Sequence, residues 1–190
     1  ANLLKNKIVD GFGKTDKVTN VENVVGTKFV DSFGGDNKDN MFRGLDGVDS
    51  YDGKKGHDIL SFYGDNDKAA NVDLSLATGQ VIDDGYGNTE NAKSIESLEG
   101  SGYGDTLKLG GAKGGYAYGD DGDDTLVGGE GLWQYLDGGA GNDTIVFLTA
   151  TAIGLDETGG IDVVGGFVQG EDTIDLSAIE IPRIHPDLIA

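Results

Sequence analysis

Short strands that each hold one large apolar residue alternate with glycine-rich turns at intervals of about nine residues. Residues 119–127 read GDDGDDTLV and residues 138–146 read GGAGNDTIV. The last three residues of each repeat place Leu126 or Ile145 at the centre of a three-residue segment, and a strand sends its central side chain to one face. The pattern predicts a turn followed by a short strand in every repeat.

Glycine at the second and fourth places of the repeat lets the backbone take positive φ and turn tightly. Two such repeats make one flattened coil, and successive coils stack as parallel strands about 4.8 Å apart. The predicted fold is therefore all-β: a parallel β-roll, or calcium-stacked β-helix, with a thin aliphatic core.

The stacking of successive coils also predicts metal-binding sites. The Asp of one turn comes close to the Asp two repeats later, and an ion with oxygens at roughly 2.3–2.6 Å can bridge two such carboxylates. Carbonyl groups of the glycine turns can complete a shell of about 6–8 oxygens, whereas magnesium requires a smaller and stricter octahedron. We expect several Ca²⁺ ions. The alternative is that the turns are only turns and that the acids form a solvated face.

The chain carries an internal duplication. Residues 10–33 read DGFGKTDKVTNVENVVGTKFVDSF, and residues 84–107 read DGYGNTENAKSIESLEGSGYGDTL. Apolar positions match, for example Val24 with Leu98 and Phe33 with Leu107. This predicts a leading segment plus a first roll block over residues 1–80, a second leading segment plus block over residues 81–147, and a β cap with a tail over residues 148–190.

In the first block the predicted turn acids are Asp31, Asp39, Asp49, Asp58 and Asp67, and the predicted inward residues are Phe33, Met41, Tyr51 and Leu60. The acid spacings 8, 10, 9 and 9 imply one deletion and one insertion, with Asn37 in place of a turn glycine. The last turn matches the repeat pattern poorly, so we expect the regular coils of the roll to end near Asp67. Residues 71–80 alternate in polarity and are predicted to close the block as a strand.

The turns of the second block end at Asp105, Gly115, Asp124, Gln134 and Asp143. Aspartate thus occupies every other turn, and alternate turns lie on opposite edges of the coil. Calcium is predicted on one edge only, between Asp105 and Asp124 and between Asp124 and Asp143.

The predicted calcium-site residues are the turn acids, turn residues whose carbonyls could complete the shell, and two aspartates of the cap. They are Asp31, Gly34, Asp36, Asp39, Gly44, Asp46, Asp49, Gly53, Lys55, Asp58, Asp67, Gly100, Gly102, Asp105, Gly119, Asp121, Asp124, Gly138, Ala140, Asp143, Asp162 and Asp172.

The frame Gly-Gly-x-Gly-x-Asp-x-U-x, with U a large apolar residue, resembles the hemolysin-type nonapeptide of the RTX (repeats-in-toxin) family. Residues 158–179, TGGIDVVGGFVQGEDTIDLSAI, are similar to the segment after the last repeat in serralysin-type proteases and in the R-modules of alginate epimerases. Gly166 stands where that pattern usually has Asp. The resemblance implies a secreted module that stays unfolded in low cytosolic calcium, passes a type I channel and folds outside on calcium.

Composition agrees with such a role. The 190 residues include 34 acidic and 14 basic ones, for a net charge of -20, which opposes compaction and excludes nucleic acid as a partner. Without calcium we expect disorder. There is no cysteine for disulfides or thiolate metal sites, no apolar run long enough to span a membrane, and no signal-peptide pattern over residues 1–10.

Catalysis is not predicted. His57 and His185 are the only histidines, and no HExxH motif or nucleophile elbow is present. His57 occupies a variable turn position, which favours a surface residue over a general base. Carboxylate pairs that recur every nine residues are not typical of a glycosidase dyad.

Three functions remain open for this extracellular or cell-surface chain. It can be the carboxyl-terminal folding and secretion module of a larger secreted protein, a calcium-dependent segment of an adhesin or surface-layer protein, or a polysaccharide-binding R-module. Its expected partners are calcium, the type I secretion machinery, and either a polysaccharide or copies of itself. Pro182 and Pro186 predict that the tail is not a roll strand, and residues 187–190, DLIA, resemble the export terminus of serralysin-type proteases.

Overall fold

The computed structural model describes residues 1–64, 68–111, 114–129, 133–148 and 162–179. Predictions for Asp67 and for the tail after residue 179 lie outside these ranges. The described residues form 18 strands and no helix, so the all-β prediction is confirmed. No helix in these ranges is long and apolar enough to cross a membrane.

Almost all strands have three residues, as the repeat predicts. They are β1 Lys7–Val9, β2 Thr15–Lys17, β3 Asn23–Val25, β4 Ser32–Gly34, β5 Met41–Arg43, β6 Ser50–Asp52, β7 Ile59–Ser61, β8 Asn71–Asp73, β9 Val81–Asp83, β10 Asn91–Lys93, β11 Ser97–Glu99, β12 Thr106–Lys108, β13 Gly115–Tyr118, β14 Thr125–Val127, β15 Gln134–Asp137, β16 Thr144–Val146, β17 Val163–Gly165 and β18 Thr173–Asp175.

Strands of the roll alternate between two faces. The long face is one seven-stranded parallel sheet in the order β17-β15-β13-β11-β7-β5-β3. The split face consists of a three-stranded sheet, β10-β6-β4, and a six-stranded sheet, β18-β16-β14-β12-β8-β9. Turns that lead from the long face to the split face form edge 1, and turns that lead back form edge 2.

The core is a column of the central strand residues, each stacked on its equivalent in the next coil. In the second block Leu107, Leu126 and Ile145 lie in register on the split face, and Leu98 and Leu136 are buried on the long face. In the first block Phe33 and Tyr51 stack with ring centroids 5.1 Å apart. Burial of these side chains against one another is the main apolar contribution to the fold.

The prediction that Met41 points inward is wrong. Met41 is half-buried, and its neighbour Phe42 is fully buried because Phe42 is the central residue of β5. The inward residues of the first block are therefore Phe33, Phe42, Tyr51 and Leu60, at an unbroken spacing of nine. No deletion or insertion is needed.

The coils of the two blocks differ in length by one residue. Met41 pairs with Ile59, eighteen residues on, whereas Thr125 pairs with Thr144, nineteen residues on. The extra residue of the second block is accommodated on the long face, where β13 and β15 have four residues.

The junction between the blocks departs from the predicted order. Residues 71–73 form a strand, but β8 pairs with β12 of the second block and with β9, so it does not close the first block. Instead β10 pairs with β6 of the first block. An antiparallel excursion through β9, which bridges Val81 to Glu90, makes this exchange possible. The long face continues across the junction through the pairing of β7 with β11.

Candidate metal site along the edges of the roll

The last residue of each edge 1 turn in the second block is a buried aspartate, and these aspartates form a ladder. The Asp105 backbone N–H donates to Asp124 Oδ1 at 2.6 Å, and the Asp124 N–H donates to Asp143 Oδ1 at 2.9 Å. The ladder begins with the Ala70 N–H on Asp105 Oδ1 and ends with the Asp143 N–H on Asp172 Oδ1. The structure thus brings Asp105, Asp124, Asp143 and Asp172 together on one edge.

The first block carries a ladder on both edges. On edge 1 the Asp31 N–H donates to Asp49 Oδ1 at 2.7 Å, and the Asp49 N–H donates to Glu90 Oε1 at 2.7 Å. On edge 2 the Asn40 N–H donates to Asp58 Oδ1 at 2.8 Å, and the Asp58 N–H donates to Glu96 Oε2 at 3.0 Å.

Sequence reasoning missed both terminal glutamates. Glu90 and Glu96 lie outside the nonapeptide frame, at the end of the β9 excursion and just before β11. Their counterparts in the first copy, Asp16 and Glu22, are exposed and half-buried, so the duplication gives no signal for them. A glutamate reaches the ladder where the backbone has left the nonapeptide geometry, because its side chain is one methylene longer.

The placement of Asp39 as a ladder acid is wrong. Asn40 is buried in the ladder position, while Asp39 is exposed and accepts the His57 backbone N–H at Oδ1, 2.8 Å away. Asp123 makes the equivalent bond with the Asn142 N–H, so Asp39 belongs to this fifth turn position. Asparagine fits the ladder because its Oδ1 accepts a backbone N–H as a carboxylate oxygen does.

The same shift of one residue applies to the rest of this turn. Gly34 is the last residue of β4, and the turn begins at Gly35. Asp36 is then the second turn residue, and its N–H donates to Asn40 Oδ1 at 2.9 Å. Asn37 does not have a positive φ, contrary to its predicted role as a glycine substitute.

The backbone conformation of the second turn residue divides the turns into two classes. In the turns of Asp31, Asp105 and Asp172, a backbone N–H four residues earlier donates to Oδ2 of the aspartate; the donors are Thr27, Ser101 and Val168. In the turns 44–49, 53–58, 119–124 and 138–143, the second residue has positive φ; these residues are Leu45, Lys54, Asp120 and Gly139. A left-handed residue turns its N–H in a different direction, so this bond to the aspartate is not formed.

Two aspartates of the second class have a buried oxygen without a hydrogen bond. Asp124 Oδ2 and Asp143 Oδ2 have no partner among the described residues, although both side chains are about 99% and 98% buried. A buried carboxylate oxygen without a partner costs free energy, so each marks a position where a ligand would be stabilising.

The first glycine of each turn lies beside that oxygen. A Cβ on Gly119 would collide with Asp124 Oδ2 and with the carbonyl oxygen of Gly138, and a Cβ on Gly138 would collide with Asp143 Oδ2. Gly53 and Gly100 likewise have a carboxylate oxygen and a carbonyl oxygen as neighbours, whereas Gly44 has Asp49 Oδ2 and the Tyr51 hydroxyl. These turns therefore gather oxygen atoms around a position that only glycine can occupy.

No group of three or more His, Cys, Asp or Glu side chains that could hold a metal occurs within the described ranges. A cation here would therefore depend on backbone carbonyls for most of its ligands. Calcium tolerates such a shell, because it accepts carbonyl oxygens and a flexible geometry. The donor set is all-oxygen, so the residues fit a hard cation.

Burial also raises the pKa values of the ladder acids. Desolvation raises the pKa of Asp124 to about 7, and the neighbouring charges of Asp105 and Asp143 contribute in the same direction. Desolvation likewise raises the pKa of Asp49 to about 6 and that of Glu90 to about 8. The ionised form of these crowded, buried acids is disfavoured, and a bound cation would stabilise it by neutralising the negative charge.

The remaining predicted site residues occupy the third position of their turns and face solvent; they are Asp46, Lys55, Gly102, Asp121 and Ala140. Their side chains take no part in the ladders. The Ala140 carbonyl accepts the Gly122 N–H at 2.8 Å, so the stacked turns are also joined through their backbones.

Edge 2 of the second block lacks the aspartate ladder, as predicted. Gly115 and Gln134 are paired on adjacent strands, and Gln134 Oε1 accepts the Gly129 N–H at 3.0 Å. Asp162 follows on this edge, directly before β17. Burial raises the pKa of Asp162 to about 6, and a hydrogen bond from the Gln134 backbone acts against this shift.

Gly119→Ala is expected to cost about 1–3 kcal/mol of unfolding free energy, since the added methyl group collides with Asp124 and the Gly138 carbonyl. Gly102→Ala is the matched control, because nothing lies within 4 Å of a Cβ there, and it should change stability by less than about 0.5 kcal/mol. Urea unfolding of both variants in saturating calcium measures the difference. Equal losses of unfolding free energy in the two variants would contradict this close packing around Gly119.

No protein-family model matches this chain, and no curated protein matches it. The RTX resemblance therefore rests on the motifs of the chain itself.

Proposed function

We propose that this chain is a calcium-binding β-roll module of the RTX type that folds when it meets calcium outside the cell. The observation that carries the proposal is the pair of buried, unpartnered oxygens, Asp124 Oδ2 and Asp143 Oδ2, each in contact range of a position that only glycine can fill. The ladder bonds hold each aspartate in place through Oδ1 and leave Oδ2 for a ligand.

Asp124 and Asp143 would hold the ion, together with carbonyl groups of the turns that begin at Gly119 and Gly138. When bound, calcium supplies the positive charge that this edge lacks. The chain's own contribution is to orient the carboxylates, through backbone N–H donors of the previous coil, and to exclude water from them. Asp105 is a poorer candidate, because Ser101 already donates to its Oδ2.

The net charge of -20 supports a role outside the cytosol, where calcium is abundant enough to occupy weak sites. Extracellular calcium modules have Kd values of about 10⁻⁴–10⁻³ M. We place the chain in a secreted or cell-surface protein that uses a type I exporter, with this module serving folding after export and not catalysis.

Calorimetric titration of calcium into the purified protein tests the proposal, with magnesium as the matched ion. Saturable calcium binding in the range of about 10⁻⁴–10⁻³ M, with magnesium at least about tenfold weaker, is expected because the carbonyl-rich shell suits the larger ion. The absence of calcium uptake at several millimolar, or equal uptake of both ions, would refute it.

A further inference from the structure

Five aromatic rings cluster along the outward face of the long sheet and the edge 2 turns beside it. On β13 the buried Ala117 points inward, so Tyr116 and Tyr118 point outward. On β15 the buried Leu136 likewise places Tyr135 and Asp137 outward. Trp133 precedes β15, and His57 precedes β7, which lies two strands from β13. We call the set His57, Tyr116, Tyr118, Trp133 and Tyr135 the aromatic platform.

The rings of the aromatic platform form one connected surface. Trp133 lies 5.4 Å from Tyr116, Tyr116 lies 6.1 Å from Tyr118, and Tyr118 lies 5.7 Å from Tyr135, measured between ring centroids. His57 is 5.0 Å from Tyr116 and is nearly parallel to the Trp133 indole at 6.1 Å. Tyr116 pairs with Tyr135 across the sheet, so the strand register sets this spacing.

Trp133 and His57, at one end of the platform, are held in place by their neighbours. The Trp133 indole packs on Gly114, where any Cβ would collide with it. His57 Nε2 lies 2.6 Å from Ser97 Oγ, and this hydroxyl also accepts the Tyr116 backbone N–H at 2.9 Å. A surface whose rings are already held in place loses little conformational entropy when a ligand binds.

Exposed rings and acids alternate across this face. Trp133 and Tyr118 are 42% and 40% exposed. Tyr118 lies in register between Glu99 on β11 and Asp137 on β15. Asp137 Oδ2 accepts the Tyr135 hydroxyl at 2.9 Å. Ring faces thus stand next to carboxylate and phenol groups that can bond to hydroxyl groups.

We propose that the aromatic platform binds a neutral polysaccharide. The apolar C–H faces of sugar rings stack on aromatic rings, and sugar hydroxyls bond to carboxylates and phenols placed beside them. The carboxylates and the net charge of -20 disfavour an anionic glycan. Ring spacings of 5.4–6.1 Å between neighbours suit an extended chain that contacts several rings in succession.

The test uses Trp133, the only tryptophan in the chain, as its reporter. The folded protein in millimolar calcium is titrated with cellohexaose, maltohexaose and mannohexaose, and native gels containing the neutral polymers hydroxyethyl cellulose, starch and galactomannan are run beside alginate gels. A saturable change in Trp133 emission with at least one neutral oligosaccharide, and retardation in the corresponding gel only, is expected.

Tyr118→Ala should weaken that binding at least about tenfold, because it removes the ring between two carboxylates. Tyr103→Ala is the matched control, since Tyr103 is 48% exposed in an edge 1 turn away from the platform, and its binding should be unchanged. Circular dichroism in calcium confirms that both variants are folded, which separates this test from that of the proposed calcium function.

Three results would overturn the proposal. They are no binding of any neutral glycan by folded protein, equal binding to alginate, and equal loss in Tyr103→Ala. Sedimentation analysis supplies a fourth: a dimer that disappears in Tyr118→Ala would assign the platform to a second copy of the chain.

Discussion

Chelation of calcium at pH 8 is expected to abolish the β-rich far-ultraviolet spectrum of the protein and to expand it to the size of an unfolded chain. At this pH the buried ladder acids would have to remain charged without a counter-ion, in a chain whose net charge is already -20. The thin core offers little to offset this cost. Circular dichroism and size-exclusion chromatography, with chelator and then with millimolar calcium, measure the transition.

Lowering the pH to about 5 in the same calcium-free solution is expected to restore part of the β signal. The pKa values of Asp49, Glu90 and Asp124 are raised to about 6, 8 and 7 in the fold, above the values of about 3.9–4.3 in an unfolded chain. The folded state therefore binds more protons between about pH 4 and pH 8, so calcium-free stability falls as the pH rises through this window. Glu90 responds most strongly because it is buried against Asp49, Asp84 and Tyr51.

Sodium chloride at high concentration is the control for general charge screening at pH 8. Salt should restore less structure than acid does, because buried carboxylates are screened little. An identical β-rich spectrum with and without calcium at pH 8 would contradict the proposed coupling of calcium to folding.

Asp124→Ala is expected to be more damaging than Asp105→Ala on edge 1, with a loss of about 3 kcal/mol or more in calcium. The change leaves the buried Asp105 N–H without its acceptor, which costs about 1–3 kcal/mol, and removes the carboxylate from the cation site. Asp124 is also an interior member of the ladder and one of the two proposed ion ligands. Urea unfolding and the calcium midpoint of folding are the measurements.

Asp105→Ala and Asp143→Ala provide an internal reference. Each also removes the acceptor of one buried backbone N–H, that of Ala70 or Asp124, so the ladder cost is nearly the same in all three variants. A larger loss for Asp124 than for Asp105 therefore measures the cation contribution, and Asp143→Ala should show it as well because Asp143 is the second proposed ligand. Equal losses from all three would refute the assignment of the ion to Asp124 and Asp143.

Two further variants separate charge from hydrogen bonding. Asp124→Asn retains an Oδ1 acceptor for the Asp105 N–H, just as the Asn40 side chain accepts the Asp36 N–H, but reduces the negative charge. The variant should keep most of the hydrogen bonds of the ladder in the absence of calcium. It should still require a higher calcium concentration to reach the midpoint of folding. Asp121→Ala removes an exposed acid from the same turn and should change stability by less than about 0.5 kcal/mol.

The repeat in the sequence was sufficient to predict an all-β fold of stacked parallel strands. One large apolar residue in each nonapeptide, as at Leu126 and Ile145, can be buried only if consecutive short strands stack, and this determines the parallel sheets. The alternation of Asp105, Asp124 and Asp143 with Gly115 and Gln134 likewise placed the acid ladder of the second block on one edge. Such local sequence patterns predict the structure because each coil repeats the same geometry.

The frame of the turn before β5 could not be resolved from residue types. Asp39 and Asn40 are adjacent and chemically similar, and so are Met41 and Phe42 as apolar residues. Only the stacked coils decide between them, since a backbone N–H must meet Oδ1 eighteen residues away and a side chain must fill the core. A shift of one residue would place every side chain of the strand on the wrong face.

Tertiary structure alone decided the features that join distant parts of the chain. Glu90 and Glu96 enter the ladders because an antiparallel excursion returns β10 to the first block, and no local pattern encodes that return. The positive φ of Asp120 and Gly139 prevents their N–H groups from bonding to Oδ2 of Asp124 and Asp143. The register of the strands brings the His57 ring next to the Trp133 indole. The sequence by itself determined what each coil is made of, whereas the stacking of coils determined which side chains meet, because contacts between coils join residues eighteen or more positions apart.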